Sequence, residues 1–109
     1  MTFHLTIEEA KSALQKDTGR AFTTLFQHGT LQVEYYAPQQ ADKQQPHRQD
    51  ELYVIASGHA VFNRNGDRAG CKQGDILFVP AGMQHCFENF SHDFATWVIF
   101  YGKDGGEMN

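Results

Sequence analysis

The chain has 109 residues, a length typical of one ordinary domain and too short for two separate hydrophobic cores. Its formal net charge is -4, and its nine lysines and arginines stand apart along the sequence, which argues against nucleic acid as a partner. No apolar run approaches the roughly 20 residues that span a bilayer, and the first residues lack the pattern of a signal peptide. We therefore expect a cytoplasmic protein with no membrane partner.

Residues 6–17 predict a short amphipathic helix near the N-terminus. The pattern that begins at Thr6 is a capping box, in which the threonine hydroxyl accepts from the amide of Glu9 while the glutamate side chain bonds back. Small and apolar residues then recur at helical spacing, and Gly19 suits the left-handed position beyond the helix end. We expect this helix to lie on a larger structure.

From residue 20 to about residue 102 the sequence changes to short aromatic and β-branched runs separated by turn residues, which is typical of an all-β domain. Asn65-Gly66 predicts a hairpin, because both central positions of the favoured turn need positive φ. Residues 39–49 predict a polar loop that leads into a strand near His47, and the glycine-rich tail after Tyr101 is predicted to fray. The predicted strands are Ala21–Gln27, Leu31–Ala37, Glu51–Ala56, His59–Asn63, Ile76–Val79, His85–Phe90 and Phe94–Tyr101.

The stretch from Gly74 to Asn89 carries a spaced motif. Gly74 is followed by five residues, Pro80, one residue, Gly82, two residues, His85, three residues and Asn89. This spacing resembles the second conserved motif of the cupin superfamily at every fixed position. The proline and glycine make a tight turn that presents His85 at the start of the next strand.

An upstream segment resembles the first cupin motif in part. His47, three residues, Glu51, six residues and Gly58 fit that motif, but the position of its earlier histidine is occupied by Gln45. Fifteen residues separate Gly58 from Gly74, a short spacing expected of a small single-barrel member. The surrounding sequence is similar to that of compact bacterial single-domain cupins of the type-2 group.

The resemblance implies an all-β fold for residues 1–109 as one cupin domain. The expected architecture is a jelly-roll, or double-stranded β-barrel, at about residues 20–102, preceded by the short N-terminal α-helix. A barrel this small leaves sheet edges that need cover, so we expect a homodimer.

His47, Glu51 and His85 are predicted to form a metal site. Two imidazoles and one carboxylate leave open positions on an ion and suit iron, manganese, nickel or zinc. His47 and Glu51 have the same parity, so both point into the barrel if the chain between them is extended, and the motif resemblance places His85 opposite them. Gln45 shares that parity, and its amide oxygen is either a weak fourth ligand or a partner for a bound water.

Two functions fit this site. The first is a metal-dependent enzyme, similar to a dioxygenase or an isomerase, that acts on a small organic substrate inside the barrel. The alternative is a non-catalytic module that captures a small molecule or a metal. Few residues other than the metal ligands could act as a general acid or base. Tyr53 is the first candidate, and Glu34 and His59 are weaker ones.

Overall fold

The structure is a computed structural model that describes residues 4–108, and these contain one helix and eight strands. No helix in this range is long and apolar enough to cross a membrane. The elements are α1 (Ile7–Lys16), β1 (Phe22–His28), β2 (Leu31–Tyr36), β3 (Asp50–Ser57), β4 (His59–Arg64), β5 (Asp67–Lys72), β6 (Ile76–Val79), β7 (His85–Glu88) and β8 (Ala95–Tyr101).

The strands form two antiparallel sheets that face each other. The larger sheet has the order β1-β2-β8-β3-β6, and the smaller sheet has the order β5-β4-β7. Side chains from both sheets meet in an aromatic core that includes Tyr53, Phe62, Phe87 and Phe94. The alternation of side chains along each strand directs one set into this core. The predicted all-β, jelly-roll fold is thereby confirmed.

Helix α1 packs on the outer side of the larger sheet. Its capping box is present, with the Glu9 amide donating to the Thr6 hydroxyl at 3.1 Å. Ala10 is fully buried there, in a second apolar cluster with Tyr35 and Ala95. The small side chain at position 10 lets the helix approach the sheet closely, as the apolar spacing in the sequence predicted.

Strand β5 is the element that the sequence analysis did not predict. It pairs with β4 after the predicted hairpin turn, where Asn65 and Gly66 have φ values of 52° and 97°. Five of its six residues are exposed and only Cys71 is buried, so β5 carries no alternation of polar and apolar residues. Hydrogen bonding to β4, and not a local sequence pattern, therefore gives this segment its strand conformation.

The prediction that the tail frays is wrong for the described residues. The amide of Gly105 donates to the carbonyl of Arg48 at 2.7 Å, and the amide of Glu107 donates to the carboxylate of Asp50 at 2.8 Å. Both partners lie more than 50 positions away, so local sequence carries no sign of them. These bonds tie the tail to the start of β3 and leave Gly106 buried.

Candidate metal centre

The structure brings the three predicted ligands together from both sheets. Glu51 lies on β3 of the larger sheet, and His85 opens β7 of the smaller sheet. His47 lies three residues before β3, and residues 48–49 form a bend, so the chain between His47 and Glu51 is not fully extended as the parity argument assumed. Even so, one ligand atom from each of the three residues lies within 4.8 Å of the others.

The central atoms of this cluster are buried without hydrogen bonds. Oε1 of Glu51 lies 3.0 Å from Nε2 of His85, and the two side chains are 1% and 0% exposed. Among the described residues, neither carboxylate oxygen of Glu51 nor Nε2 of His85 has a hydrogen-bond partner, and the two side chains form an ion pair only if the imidazole is protonated. A buried carboxylate without a partner is strongly destabilising, and a cation between these atoms would satisfy all three. The donor set therefore fits a divalent metal ion.

The backbone orients the His85 ring for this role. Nδ1 lies 2.9 Å from the carbonyl oxygen of Met83. A carbonyl only accepts, so Nδ1 carries the proton and donates it, which leaves the Nε2 lone pair directed toward Glu51. Histidine ligands of metals commonly have such a support on the second ring nitrogen, because it holds both the tautomer and the ring plane.

The two imidazoles have pKa values shifted in opposite directions. Burial lowers the pKa of His47 and outweighs the attraction of Glu51, which raises it. Burial also lowers the pKa of His85, but Glu51 and the Met83 carbonyl together outweigh burial, so the pKa of His85 is raised. A proton and a metal ion therefore compete for the same nitrogen of His85.

Aromatic rings surround the cluster. The Phe100 ring centroid lies 4.6 Å from that of His47, and the Tyr53 ring centroid lies 6.0 Å from that of His85. Tyr53 is fully buried, and its hydroxyl donates to Oε1 of Gln44 at 2.8 Å. Burial and the nearby Glu51 carboxylate raise the pKa of Tyr53 well above its ordinary value. The hydroxyl proton is thus retained and already engaged by a protein acceptor.

The loop over the cluster is organised by Asp42, which the sequence analysis missed. Its carboxylate accepts from the Tyr36 hydroxyl at 2.5 Å, from the Phe87 amide at 2.7 Å and from the amide and side chain of Gln44 at 3.0 and 2.9 Å. The loop predicted for residues 39–49 is confirmed over its whole length, and the strand that follows it begins at Asp50. Its polar composition predicted a loop but gave no sign of which strands the loop contacts.

Two cavities reach the cluster. The larger one has a volume of about 950 Å³ and includes His47, Gln45 and Glu34 in its lining. Burial raises the pKa of Glu34, although Gln32 donates to its carboxylate. The smaller one has a volume of about 380 Å³ and includes His85 in its lining. Organic ligands of modest size occupy protein cavities in this range.

The other sequence-predicted candidates lie outside the three-residue cluster. Gln45 is exposed, although it lines the same cavity as His47. Glu34 lies on β2, where it pairs with Val98 across the sheet and lines the larger cavity. His59 is exposed at the start of β4, where its backbone amide donates to the Ser91 hydroxyl at 3.0 Å, and it is not one of the three residues of the cluster.

A comparison with models of protein families identifies the family of this chain. The family model of the cupin domain matches residues 32–101, which include all three residues of the cluster. The chain belongs to the cupin family. Proteins of this family commonly bind a divalent metal, and the cluster described above is a candidate position for it.

Three curated relatives match parts of this cupin. An uncharacterised protein of Streptomyces coelicolor is 37% identical over 59 residues, which are 54% of this chain and 56% of the relative. An acireductone dioxygenase of Frankia alni is 34% identical over 64 residues, covering 54% and 31% of the two chains. An oxalate-binding protein of Thermotoga maritima is 41% identical over 39 residues, covering 36% and 32%. The chain thus spans about a third to just over half of these relatives.

Solved structures share the fold over most of the chain. A protein of unknown function from Rhizobium leguminosarum superposes with a TM-score of 0.69 at 17% identity, over 94% of this chain and all of the other. A Cupin 2 conserved barrel domain protein from Salinispora arenicola superposes with a TM-score of 0.67 at 16% identity, over 94% and 89% of the two chains. At this level of identity the likeness shows the fold alone.

Proposed function

We propose that this cupin binds a divalent transition metal, iron, manganese, nickel or zinc, through His47, Glu51 and His85. The observation that carries the proposal is the set of buried, unpartnered atoms on Glu51 and His85, which converge with His47. With a neutral His85 imidazole protonated on Nδ1, Nε2 and the Glu51 oxygen 3.0 Å away are both acceptors, and a cation between them satisfies both. Two neutral nitrogens and one carboxylate oxygen are suitable ligands for all four metals.

Metal analysis tests this proposal. Protein purified without chelator and without a nickel affinity resin should contain close to one equivalent of a transition metal by mass spectrometry. Glu51→Ala should lose the ion, because two neutral imidazoles remain to hold a dication. Wild-type protein that neither contains nor takes up any of the four metals at neutral pH would rule the proposal out.

We further propose that the ion holds a small organic molecule that enters through the larger cavity. When bound, the ion would supply a Lewis acid or an oxygen-activating centre, and the protein residues would position the molecule and exclude water. Two readings of this function differ in whether a reaction follows. The acireductone dioxygenase relative favours an enzyme, and the oxalate-binding relative favours a module that captures its ligand without turnover.

Tyr53 separates the two readings. Tyr53→Phe keeps the ring that packs the core and removes only the hydroxyl. In an enzyme that uses this hydroxyl as a proton donor or substrate anchor, turnover should fall by a factor of roughly a hundred or more. In a capture module, the variant should cost about one hydrogen bond of affinity, roughly 0.5 to 1.5 kcal/mol. Because the hydroxyl already donates to Gln44, we favour a positioning role for Tyr53 in either case.

We predict that the protein forms a homodimer through a specific surface, the edge strand β6. Strand β6 is an edge of the larger sheet, and Ile76 and Phe78 on it are 67% and 42% exposed. Large apolar side chains on an open edge favour association. Light scattering should give the mass of a dimer at micromolar concentration, and Ile76→Lys should shift it toward the monomer. A wild-type protein that is monomeric throughout would refute this prediction.

A further inference from the structure

The side-chain amide of Gln44 is held at both ends. Its Nε2 donates to Oδ2 of Asp42 at 2.9 Å, and its Oε1 accepts from the Tyr53 hydroxyl at 2.8 Å. The same Oδ2 accepts from the backbone amide of Phe87 at 2.7 Å, so the carboxylate that orients Gln44 is tied to β7. An ionised carboxylate only accepts, which places the nitrogen of Gln44 toward Asp42 and its oxygen toward Tyr53.

This oriented amide lies where the two cavities meet. Gln44 lines the larger cavity, which reaches His47, and also the smaller cavity, which reaches His85. A primary amide has two N–H groups, and Asp42 accepts from one of them. Within residues 4–108 the second N–H has no hydrogen-bond acceptor, so it is available to a molecule in the cavities.

We propose that Gln44 is a ligand-recognition residue that donates this second N–H to an acceptor oxygen of a molecule bound at the metal centre. The inference rests on the proposed function, because the ion is what would hold such a molecule within reach. An amide that is oriented before binding loses little side-chain entropy when the ligand arrives. A fixed donor also selects for a ligand with an acceptor oxygen, such as that of a carboxylate or carbonyl, and against a ligand that offers only N–H groups at that position.

The charges around the larger cavity favour an anionic oxygen ligand. Lys43 lines this cavity and forms no ion pair with the described residues, and Arg20 lines it while pairing with Asp17 at 3.7 Å. Glu34 is the opposing charge, and its carboxylate accepts from Gln32 at 2.6 Å. With a dication also present, and one of its charges offset by Glu51, positive charge still prevails around the cavity. The ligand class we assign is therefore a small carboxylate or oxo acid.

Two metal-binding probes test this role. Oxalate offers acceptor oxygens to Gln44, whereas imidazole binds a metal without offering an oxygen. In calorimetric titrations of zinc-loaded protein, Gln44→Leu should weaken oxalate at least about tenfold, the effect of one hydrogen bond to a charged group. The same variant should change imidazole affinity by less than about twofold. Gln39→Leu is the matched control, because Gln39 lines the same cavity without these contacts, and it should leave both affinities near wild type.

A second variant tests the hydrogen bond to Asp42 that orients the Gln44 amide. Asp42→Asn replaces an acceptor-only group with one that also donates, so Gln44 loses its fixed direction, and oxalate affinity should fall about threefold or more. This variant carries the test if melting curves show that Gln44→Leu does not fold. Zinc titration of the metal-free proteins keeps the two proposals separate. Wild type that binds no zinc overturns the metal site, whereas variants that bind zinc and oxalate as tightly as wild type overturn the recognition role.

Discussion

Asp50 and Glu51 are adjacent buried carboxylates on β3, 4% and 1% exposed, yet their surroundings are opposite. Asp50 accepts from the amides of Ala81 and Glu107, at 2.9 and 2.8 Å, one on each carboxylate oxygen. Glu51 points to the other face of the strand, where neither of its oxygens has a hydrogen-bond partner within residues 4–108. The two backbone amides that donate to Asp50 are typical of a carboxylate with a structural role. A carboxylate left without them is available to a ligand, and this contrast is why we assign the metal to Glu51.

The largest expected effect is on metal affinity. Glu51→Gln keeps the side-chain volume and removes the charge, so metal affinity should fall about a hundredfold or more. The melting temperature of the metal-free protein at pH 8 should not fall, because the change removes a buried charge that a neutral His85 does not offset. Calorimetry and thermal melting measure the two quantities. A large loss of metal-free stability with metal affinity unchanged would make Glu51 a structural residue like Asp50.

The second expected effect is stabilisation of the wild type by metal. Free ion at a hundredfold above its dissociation constant should stabilise the fold by about 2.7 kcal/mol, and the melting temperature should rise by about 10 °C or more. At the same ion concentration the stabilisation should fall to about 0.4 kcal/mol or less in Glu51→Gln and be retained in Asp50→Asn. Equal shifts in both variants would place the ion elsewhere on the protein.

Asp50→Asn should lower stability while metal affinity stays within about twofold. The amides of Glu107 and Ala81 hold the pKa of Asp50 below its usual value. A carboxyl with a lowered folded-state pKa stabilises the protein above its unfolded pKa of about 3.9, and this contribution is lost as pH falls through the folded value. The melting difference between wild type and Asp50→Asn should therefore shrink below about pH 4. A difference that persists at pH 2 would mean that the charge of Asp50 is not what the amides recognise.

The smallest effect concerns Gln45. It is exposed, and a neutral amide oxygen is a weak ligand, so as the proposed fourth ligand its replacement should cost little. Gln45→Ala should weaken metal binding about threefold to tenfold, measured by competition with a chromogenic chelator. Metal affinity equal to wild type, in a folded variant, would leave Gln45 as a partner for bound water.

Local patterns in the sequence were sufficient for much of the fold. The capping box at Thr6 and the turn at Asn65-Gly66 depend on side-chain and φ preferences of neighbouring residues, and both are present in the structure. Seven of the eight strands carry aromatic or β-branched runs and were predicted near their observed positions. Strand β5 was missed because its exposed, polar residues owe their conformation to pairing with β4.

The spacing of His47, Glu51 and His85 was sufficient to predict the three residues of the candidate site, because the motif resemblance indicates which side chains lie together inside the barrel. Tertiary structure alone decided their surroundings. The hydrogen bonds from Ala81 and Glu107 to Asp50, and from Phe87 to Asp42, join residues 31 to 57 positions apart. Hydrogen bonds over such separations depend on how the sheets and loops pack. The oxygens of Glu51 have no hydrogen-bond partner among the described residues. The local sequence therefore does not show that Asp50 accepts hydrogen bonds from backbone amides while Glu51 does not.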